Sequence, residues 1–146
     1  DVPLWAKKSF RALYARHGSL KLVMPLVQVK TVLKAKELVR VKGPLPAFIG
    51  YVQHATQRIP VLDLNALDCT LGNTEADDIS TIGDGYIAIA EDHAVGLYFS
   101  EINDTHEVFS DVITWRCNDD SMTWIAGVDP KNLSIIVDFN RLCELL

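Results

Sequence analysis

One short phrase occurs twice in this chain, and it constrains the fold more than any other feature. Residues 59–67 read IPVLDLNAL, and residues 134–142 read SIIVDFNRL. Both copies run as an apolar segment, Asp, an apolar residue, Asn, any residue and Leu, and the two aspartates lie 75 positions apart. An apolar β-branched run is typical of a buried strand, and an Asp after it can accept the N–H groups of a following turn. The repeat predicts two related lobes, with Asp63 and Asp138 as equivalent structural caps.

Size and composition predict one domain, or two small lobes that share a core. The chain has 146 residues, 49% of them apolar, which is ample for a packed interior. It has no apolar run near the ~20 residues that a membrane span needs. It begins with Asp, as expected of a segment of a longer protein. The cysteines Cys69, Cys117 and Cys143 are odd in number and widely spaced, which predicts a reduced, cytosolic protein.

Charge divides unevenly along the chain. Residues 1–72 hold 11 Lys/Arg and 4 Asp/Glu, whereas residues 73–146 hold 3 and 15. Such asymmetry is typical of an interaction surface, although two differently solvated faces would produce it too. Within a single domain spanning 1–146, it predicts a basic lobe over 9–72 and an acidic lobe over 73–146. Weak, salt-sensitive head-to-tail self-association would follow. The basic interaction face is then predicted at Lys30, Lys34 and Lys36.

Alternating apolar and polar residues predict eight to ten short strands and few helices. Four hairpins are expected, over residues 9–24, 47–62, 85–100 and 122–137. A further strand is expected over 108–117, and the acidic stretch 71–84 is predicted to be a surface loop between the halves. A helix is expected from Pro25, because apolar residues follow it at helical spacing. These residues are Leu26, Val29, Val32 and Leu33. Many short strands favour small β-barrels over a layered α/β fold.

The chain lacks the usual signatures of catalysis and cofactor binding. It contains no glycine-rich phosphate-binding loop and no G-x-S-x-G nucleophile motif. Its four histidines lie more than five residues apart, so we expect turn or surface residues rather than metal ligands. They are His17, His54, His93 and His106. The acidic pairs 77–78 and 119–120 are expected to be solvated rather than to act as acid–base pairs. We therefore predict no catalytic residues, no metal and no cofactor.

Four segments resemble the CheW-like domain family, and they occur in the family's order. PAFIG at 46–50, followed by RIPVLDL at 58–64, is similar to the central signature of the family. The hairpin and helix that precede this signature resemble residues 20–32. The second hairpin of the family resembles residues 86–102, and its closing hairpin resembles residues 127–145. The likeness covers nearly the whole chain.

This resemblance implies a mainly β fold, with two SH3-like five-stranded barrel lobes around a shared hydrophobic core and with short helices. It implies a non-catalytic scaffold of bacterial chemotaxis arrays. Members of the family couple the cytoplasmic tips of chemoreceptors to the regulatory domain of the histidine kinase CheA, through a groove between the lobes. A cytoplasmic location at the arrays, without nucleic-acid binding or membrane insertion, is implied as well. The implied receptor- and kinase-binding residues are Val29, Thr31, Val32, Ile49, Tyr51, Gln53, His54 and Ala55.

The turn between the two central strands departs from the family's pattern. Residues 53–56 read QHAT where the family has Asn-Leu-Arg-Gly, so Ala55 replaces an Arg that helps to hold the receptor tip. Thr31 stands at a position that is often Glu. These departures imply altered receptor binding. Together with the non-Met start, they favour the CheW-like C-terminal domain of a ParP-type array protein, placed at the cell pole, over an ordinary adaptor.

Two other functions are open from the sequence. The basic first half is compatible with a nucleic-acid-binding SH3-like or OB-like barrel, whose binding would depend strongly on salt. Its contacts would be Lys30, Lys34, Lys36, Arg40 and Lys42. A small enzyme on a β-barrel is the third interpretation, and a structure without a polar pocket would argue against it.

Overall fold

A computed structural model describes residues 2–43, 45–64, 84–116 and 123–146. The fold is mainly β, as predicted. Twelve strands lie within the described residues. They are β1 (Ser9–His17), β2 (Leu20–Pro25), β3 (Val29–Lys34), β4 (Val39–Arg40), β5 (Phe48–His54), β6 (Gln57–Leu62), β7 (Tyr86–Ala90), β8 (Gly96–Phe99), β9 (Glu101–Phe109), β10 (Thr114–Trp115), β11 (Ile125–Asp129) and β12 (Ser134–Val137).

Short helical segments connect several of these strands. The described residues contain one α-helix, α1 (Phe139–Leu142), and Asp138 is its N-cap. The Asp138 carboxylate accepts a hydrogen bond from the Asn140 N–H at 3.0 Å, which satisfies a donor that the helix itself cannot pair. Single 3₁₀ turns lie at Leu4–Ala6, Leu26–Gln28, Ala35–Glu37, Ser110–Val112 and Cys143–Leu145.

Two local predictions are wrong. The helix expected from Pro25 is a single 3₁₀ turn, after which the chain enters β3. Val29, Thr31 and Val32 of β3 are β-branched and pair with β7, so sheet pairing prevails over the helical spacing of the apolar residues. The strand expected over 108–117 is interrupted by the 3₁₀ turn at Ser110–Val112, and the long strand β9 precedes it.

The strands form two six-stranded sheets with the same plan. Sheet A has the order β10-β11-β12-β2-β1-β9, and sheet B has the order β4-β5-β6-β8-β7-β3 when it is read in the matching direction. In each sheet one pair is parallel, β12 with β2 and β6 with β8, and the other neighbours are antiparallel. The two-residue strands β4 and β10 occupy matching ends, so each sheet consists of five longer strands and one short strand.

The two sheets exchange hairpins. The β1–β2 hairpin joins β9–β12 in sheet A, and the β7–β8 hairpin joins β3–β6 in sheet B. Sheet membership therefore does not follow the predicted lobes 9–72 and 73–146. The sequence repeat is a repeat of six strands, but each sheet takes its hairpin from the other copy. Long-range hydrogen bonding decides this choice, and a repeated phrase carries no signal about it.

The exchange also balances the charge of the sheets. The described residues of 2–28, 100–116 and 123–146, which build sheet A, contain eight Lys/Arg and seven Asp/Glu. Those of 29–64 and 84–99, which build sheet B, contain six and five. The predicted contrast between a basic and an acidic lobe is therefore absent from the described residues of the two sheets, because strands of the basic half pair with strands of the acidic half.

Three apolar clusters form the core. The largest lies between the sheets and includes Leu22 and Met24 from sheet A together with Leu97 and Phe99 from sheet B, all at most 1% exposed. A second cluster is formed by side chains of sheet B around Ile59. A third is formed by side chains of sheet A such as Phe10, Val23 and Ile136. The shared core that the fold prediction included is the cluster between the sheets.

The repeated phrase occupies equivalent positions in the two sheets. Asp63 follows β6 and Asp138 follows β12, the strands that form the parallel pairs. The Asp63 N–H donates to the Ala47 carbonyl and the Asp138 N–H donates to the Trp124 carbonyl, each at 2.8 Å. Ala47 directly precedes β5 and Trp124 directly precedes β11, and these two strands occupy matching positions in the two sheets. The two aspartates thus close the same corner of each sheet.

A glycine requirement is repeated as well. Gly50 in β5 and Gly127 in β11 lie at irregularities of register where the short strands β4 and β10 approach closely. Gly50 has φ +151°, and a Cβ built on it would lie 2.1 Å from the Val39 carbonyl oxygen. A Cβ on Gly127 would lie 2.9 Å from the Thr114 carbonyl oxygen. Both positions exclude a side chain because another backbone occupies its place.

Several predictions concern residues outside the described ranges. These are Cys69, Cys117, the acidic pairs 77–78 and 119–120, and nearly all of the loop predicted over 71–84. Within the described ranges, no helix is both long enough and apolar enough to cross a membrane.

Candidate functional site

The residues that the family resemblance implies for binding lie in two groups on sheet B. Val29, Thr31 and Val32 belong to β3, whereas the other five belong to β5 and to the turn after it. Strands β7, β8 and β6 separate β3 from β5 in the sheet. The two groups are therefore not neighbours within the sheet, although Leu33 of β3 and Ile49 of β5 belong to the same apolar cluster.

Contacts between turns bring the two groups together at one end of sheet B. Val29 pairs with Ala90, and the Glu91 N–H donates to the Gln28 carbonyl at 2.8 Å, so the start of β3 lies against the β7–β8 turn. His93 in that turn stacks on His54 at the end of β5, with ring centroids 5.5 Å apart and planes 16° from parallel. We call this region, defined by Val29, His54, Ala55 and His93, the histidine end of sheet B.

The β5–β6 turn at the histidine end has an unusual backbone. Ala55 has φ 55°, in the left-handed region that favours glycine. The first of the two turn residues therefore carries the positive φ, although Gly is the second of them in the family's Arg-Gly order. Ala55 is exposed, as are Thr56, the second residue of the turn, and Gln53 near the end of β5. His93 also has a positive φ, 61°, so both turns of the histidine end hold a non-glycine residue in this region.

Two of the implied binding residues pack in the interior. Ile49 is 8% exposed and belongs to the apolar cluster inside sheet B. Val32 is half-buried and packs against the core between the sheets, as Val29 does. Thr31 is also half-buried. Ile49 therefore supports the strand, whereas Val29 keeps enough exposure to touch a partner.

Tyr51 lies on a second, apolar surface of sheet B. Its ring packs edge-on against Phe48 at 5.1 Å and lies 4.1 Å from the Arg58 guanidinium carbon, in a cation–π arrangement. A groove of about 620 Å³ adjoins these rings. Its lining residues are Leu45, Phe48, Tyr51, Pro60, Leu145 and Leu146.

The three lysines of the predicted basic face have different surroundings. Lys30 and Lys36 are exposed. The Lys34 ammonium lies 4.5 Å from the centre of the Tyr86 ring and 3.4 Å from its hydroxyl oxygen. Glu37 directly follows Lys36 in the 3₁₀ turn. The basic character of this edge is therefore concentrated at Lys30 and Lys34 of β3.

One histidine prediction is wrong. His17 was expected at a turn or at the surface, but it is 1% exposed at the end of β1. Its Nε2 lies 2.6 Å from Oδ1 of Asp63, which is 2% exposed, and its ring packs edge-on against Tyr98 at 4.9 Å. Asp63 thus binds a side chain from sheet A, and the contact fastens the β1–β2 hairpin to the corner of sheet B.

Asp138 takes part in a similar contact with the connection between the sheets. The Gln28 side-chain amide donates to Asp138 Oδ1 at 3.0 Å, and its carbonyl oxygen accepts from the Phe139 N–H at 2.8 Å. Gln28 is 5% exposed and lies between β2 of sheet A and β3 of sheet B. Each aspartate of the repeated phrase therefore holds a side chain that lies on, or directly after, the β1–β2 hairpin.

The described residues offer little for nucleophilic or metal chemistry. Burial, followed by the negative charges of Asp92 and Glu144, raises the pKa of the Cys143 thiol, so the thiol stays protonated at neutral pH. Across the described ranges, no three His, Cys, Asp or Glu side chains are grouped as metal ligands. A structure without a polar pocket would argue against the enzyme interpretation. Sheet A does have a polar cavity, so this argument against an enzyme does not apply.

Sequence reasoning missed four residues of these contacts: His17, Gln28, Arg58 and His93. A histidine or glutamine within an apolar stretch gives no sign of the carboxylate that it binds when that carboxylate lies 46 or 110 positions away. The alternation of β1 gives one usable signal, because His17 follows Leu13 and Ala15 on the face that packs between the sheets.

Comparisons with known proteins support the fold. No family model matches this chain, and no curated protein matches it. Among solved structures, the chain is similar to the scaffolding protein TtCheW from Thermoanaerobacter tengcongensis, with a TM-score of 0.67 and 14% sequence identity. The match covers 88% of this chain and 86% of that one. The predicted fold class is thereby confirmed: mainly β, with two sheets, as in a CheW scaffold.

Proposed function

We propose that this protein is a non-catalytic scaffold of bacterial chemotaxis arrays, which couples chemoreceptor tips to the regulatory domain of CheA. The observation that carries the proposal is the fold shared with the TtCheW scaffold over most of both chains. The family resemblance in four segments of the sequence supports the same role. The protein then acts in the cytoplasm and works through its surfaces, without a reaction of its own.

The receptor surface is proposed at the histidine end of sheet B. It presents the half-buried side chain of Val29 beside the stacked rings of His54 and His93. Aromatic and apolar groups of this kind are typical of the buried centre of an interface. Ala55 offers a methyl group where an Arg would donate charge-assisted hydrogen bonds, so receptor contact depends on the histidine pair instead.

Titration calorimetry with a receptor-tip fragment and with a CheA regulatory domain tests this proposal. We expect the unmodified protein to bind both. His54→Ala should weaken receptor binding by about tenfold, as expected for an interface residue near the centre of contact. The matched control is His106→Ala, which removes an exposed histidine from sheet A and should leave receptor binding unchanged. Failure of the unmodified protein to bind either partner would refute the scaffold proposal.

The turn permits a test of the altered binding. Because the left-handed residue is Ala55, an Arg is better placed at position 56 with Gly at 55. The double substitution Ala55→Gly with Thr56→Arg should tighten receptor binding by about tenfold or more, since a charge-assisted hydrogen bond is worth ~1.5–3 kcal/mol. Ala55→Gly alone is the control. Equal affinities of the double variant and the control would show that this turn does not contact the receptor.

The departures in this turn also support the ParP-type assignment within the proposal. A ParP-type domain would join receptor and kinase in arrays at a cell pole. A fluorescent fusion should then form polar foci that are lost when the kinase gene is deleted. Diffuse fluorescence in cells with intact arrays would count against an array role of either type.

We also propose weak head-to-tail self-association. The contact is proposed between two edge strands and not between a basic and an acidic lobe. The matching edge strands of the two sheets carry opposite charges, Lys30 and Lys34 on β3 against Glu101, Asp104 and Glu107 on β9. Sedimentation velocity at low and high salt tests it. Reversal of Lys30, Lys34 and Lys36 to Glu should abolish the association, whereas a monomer at every salt concentration would contradict it. Nucleic-acid binding is not proposed, because sheet B has no marked excess of basic residues.

A further inference from the structure

The face of β1 that carries Phe10 and Ala12 changes from apolar to polar along the strand. Side chains on one face of a strand recur at every second residue. Phe10 and Ala12 belong to the apolar cluster inside sheet A, and Tyr14 packs partly against that cluster. Arg16 is the next residue on this face, with its side chain 43% exposed. The apolar interior of sheet A therefore ends in polar side chains on this strand.

Neighbouring strands of sheet A show the same change. Lys21, His106 and Ser134 each lie two residues from a member of the apolar cluster inside the sheet. Ser134 is 2% exposed, and its hydroxyl donates to the Asn132 carbonyl at 3.4 Å. At this end the interior of sheet A opens as a polar cavity of about 460 Å³, which we call the sheet A cavity. This volume lies within the range of small-molecule sites.

The matching end of sheet B is apolar. Ser134 lies four residues before Asp138, and its counterpart four residues before Asp63 is Ile59. The matching register of the two hairpins gives Tyr14 the counterpart Ile89. Ile59 and Ile89 are both fully buried in the cluster inside sheet B. The fold thus accepts Ile at these two positions, so folding does not require polar groups there.

The sheet A cavity also brings two cations together. Arg16 on β1 and Lys21 on β2 are directly opposed in the antiparallel ladder and face the same side. Like charges in this arrangement are destabilising. Glu101 lies 4.0 Å from the Arg16 Nε and offsets part of this repulsion, while the Lys21 ammonium donates to the Asn132 carbonyl at 3.5 Å. An anion between the two cations would stabilise both.

The Tyr14 side chain also lines the sheet A cavity. Burial, followed by the negative charge of Asp129, raises the pKa of Tyr14, so its hydroxyl stays protonated and can donate a hydrogen bond. The Tyr14 ring packs edge-on against His106 at 5.2 Å. Asp104 and His106, with side chains 83% and 57% exposed, lie at the rim of the sheet A cavity. They supply acceptors for an amino or hydroxyl group.

We propose that the sheet A cavity binds a small carboxylic acid that also carries amino or hydroxyl groups. The carboxylate lies between Arg16 and Lys21, and the polar remainder contacts Tyr14, Ser134 and the rim. The exposed rim and the 4.0 Å separation of His106 Nε2 from Asp104 Oδ2 fit binding rather than acid–base catalysis. Such a site would let a metabolite influence a scaffold. Binding at the sheet A cavity can be tested without assuming that the protein binds a receptor or a kinase.

Calorimetry and ligand-detected NMR test the site with named probes: glutamate, aspartate, serine, malate and citrate. We expect at least one of them to bind the unmodified protein with a Kd of about 1 mM or tighter. Lys21→Ala should weaken that binding by about tenfold, since a charge-assisted contact is lost. Ser134→Ile, which copies the residue of sheet B, should do the same. Lys34→Ala is the matched control, because it removes a lysine from sheet B.

Each outcome decides the proposal. Saturable binding that Lys21→Ala weakens and Lys34→Ala does not weaken would support it. Absence of binding by all five probes would overturn it, and so would binding that the two lysine variants weaken equally. If Ser134→Ile fails to fold in a thermal unfolding scan, the exposed Lys21→Ala variant decides alone. Loss of CheA-domain binding by Lys21→Ala, without binding of any probe, would show that this end of sheet A is a protein interface instead.

Discussion

Sheets A and B share one strand order but differ in how their interiors end. In sheet B the interior is apolar up to Ile59 and Ile89, both fully buried. In sheet A the counterparts are Ser134 and Tyr14, and the interior opens as a polar cavity. The groups that both sheets retain are the corner aspartates and the glycines of β5 and β11. The two sheets therefore share these positions, whereas the ends of their interiors differ.

The corner aspartates of the two sheets bind different side chains. Asp63 binds the buried His17 of β1, whereas Asp138 binds the buried amide of Gln28. The first contact ties sheet A to sheet B, and the second ties Asp138 to the 3₁₀ turn that connects the two sheets. A carboxylate taken from water needs compensating partners, but the partner can be an imidazole or an amide. The comparison between sheets A and B yields four predictions about stability.

Removal of the corner partners should have the largest effect. We expect His17→Ala to lower the free energy of unfolding by about 3–5 kcal/mol, because it removes a buried ring and a hydrogen-bond partner of the buried Asp63 carboxyl group. Gln28→Ala should cost about 1–3 kcal/mol, since it removes hydrogen bonds of a neutral amide. Urea denaturation of the two variants measures both values. A smaller loss for His17→Ala than for Gln28→Ala would break the proposed ranking of the corners.

Substitution of the two glycines should also destabilise the protein unequally, with the larger loss in sheet B. Gly50→Ala should cost about 3 kcal/mol, because its φ is positive and its Cβ would meet the Val39 carbonyl oxygen. Gly127→Ala should cost about 1–2 kcal/mol, since the Cβ clash is milder there. Thermal unfolding under identical conditions compares the variants. Equal losses would indicate that β4 and β10 adjust equally well to a methyl group.

The hairpin turns should gain stability from glycine. Ala55 in the β5–β6 turn has φ 55°, and Leu133 in the β11–β12 turn has φ 56°. Ala55→Gly and Leu133→Gly should each stabilise the protein by about 0.5–1 kcal/mol, because glycine adopts this conformation without strain. The midpoint of urea unfolding should rise for both variants. A fall for either would show that its turn gains more from the side chain than it loses to backbone strain.

The exposed ion pair of sheet A should have the smallest effect. Arg16 and Glu101 pair across β1 and β9 at 4.0 Å, with side chains that are 43% and 63% exposed. We expect Glu101→Gln to change the free energy of unfolding by about 0.5 kcal/mol or less at low salt, and by nothing measurable at 1 M salt. A larger change that persists at high salt would mean that this pair contributes specifically to the β1–β9 edge.

Much of the architecture could be predicted from neighbouring residues. The four expected hairpins correspond to β1–β2, β5–β6, β7–β8 and β11–β12. Alternation of apolar and polar residues is a local property of a strand, and the residues that carry it are adjacent in sequence. The repeated phrase likewise placed Asp63 and Asp138 at equivalent corners. Strand β3 was wrongly predicted as part of a helix, because four apolar residues happen to follow helical spacing.

The candidate surfaces were only partly predictable. The resemblance pointed to β3 and to the β5–β6 turn, but the partner that joins them is His93, in a turn about 40 positions from His54. The sheet A cavity was not predicted at all. Its polar residues come from β1, β2, β9, β12 and the turn before β12, and each of them reads as an ordinary polar position in its own segment.

The sequence by itself determined the four hairpins and the repeated aspartate corners. Only the tertiary structure decided which hairpin enters which sheet, and with it the balance of charge between the sheets. It also decided that His17 is buried against Asp63. The physical reason is the range of the interactions. Alternation and turn geometry act between adjacent residues, whereas strand partners and buried pairs are selected by packing among segments that are distant in the chain.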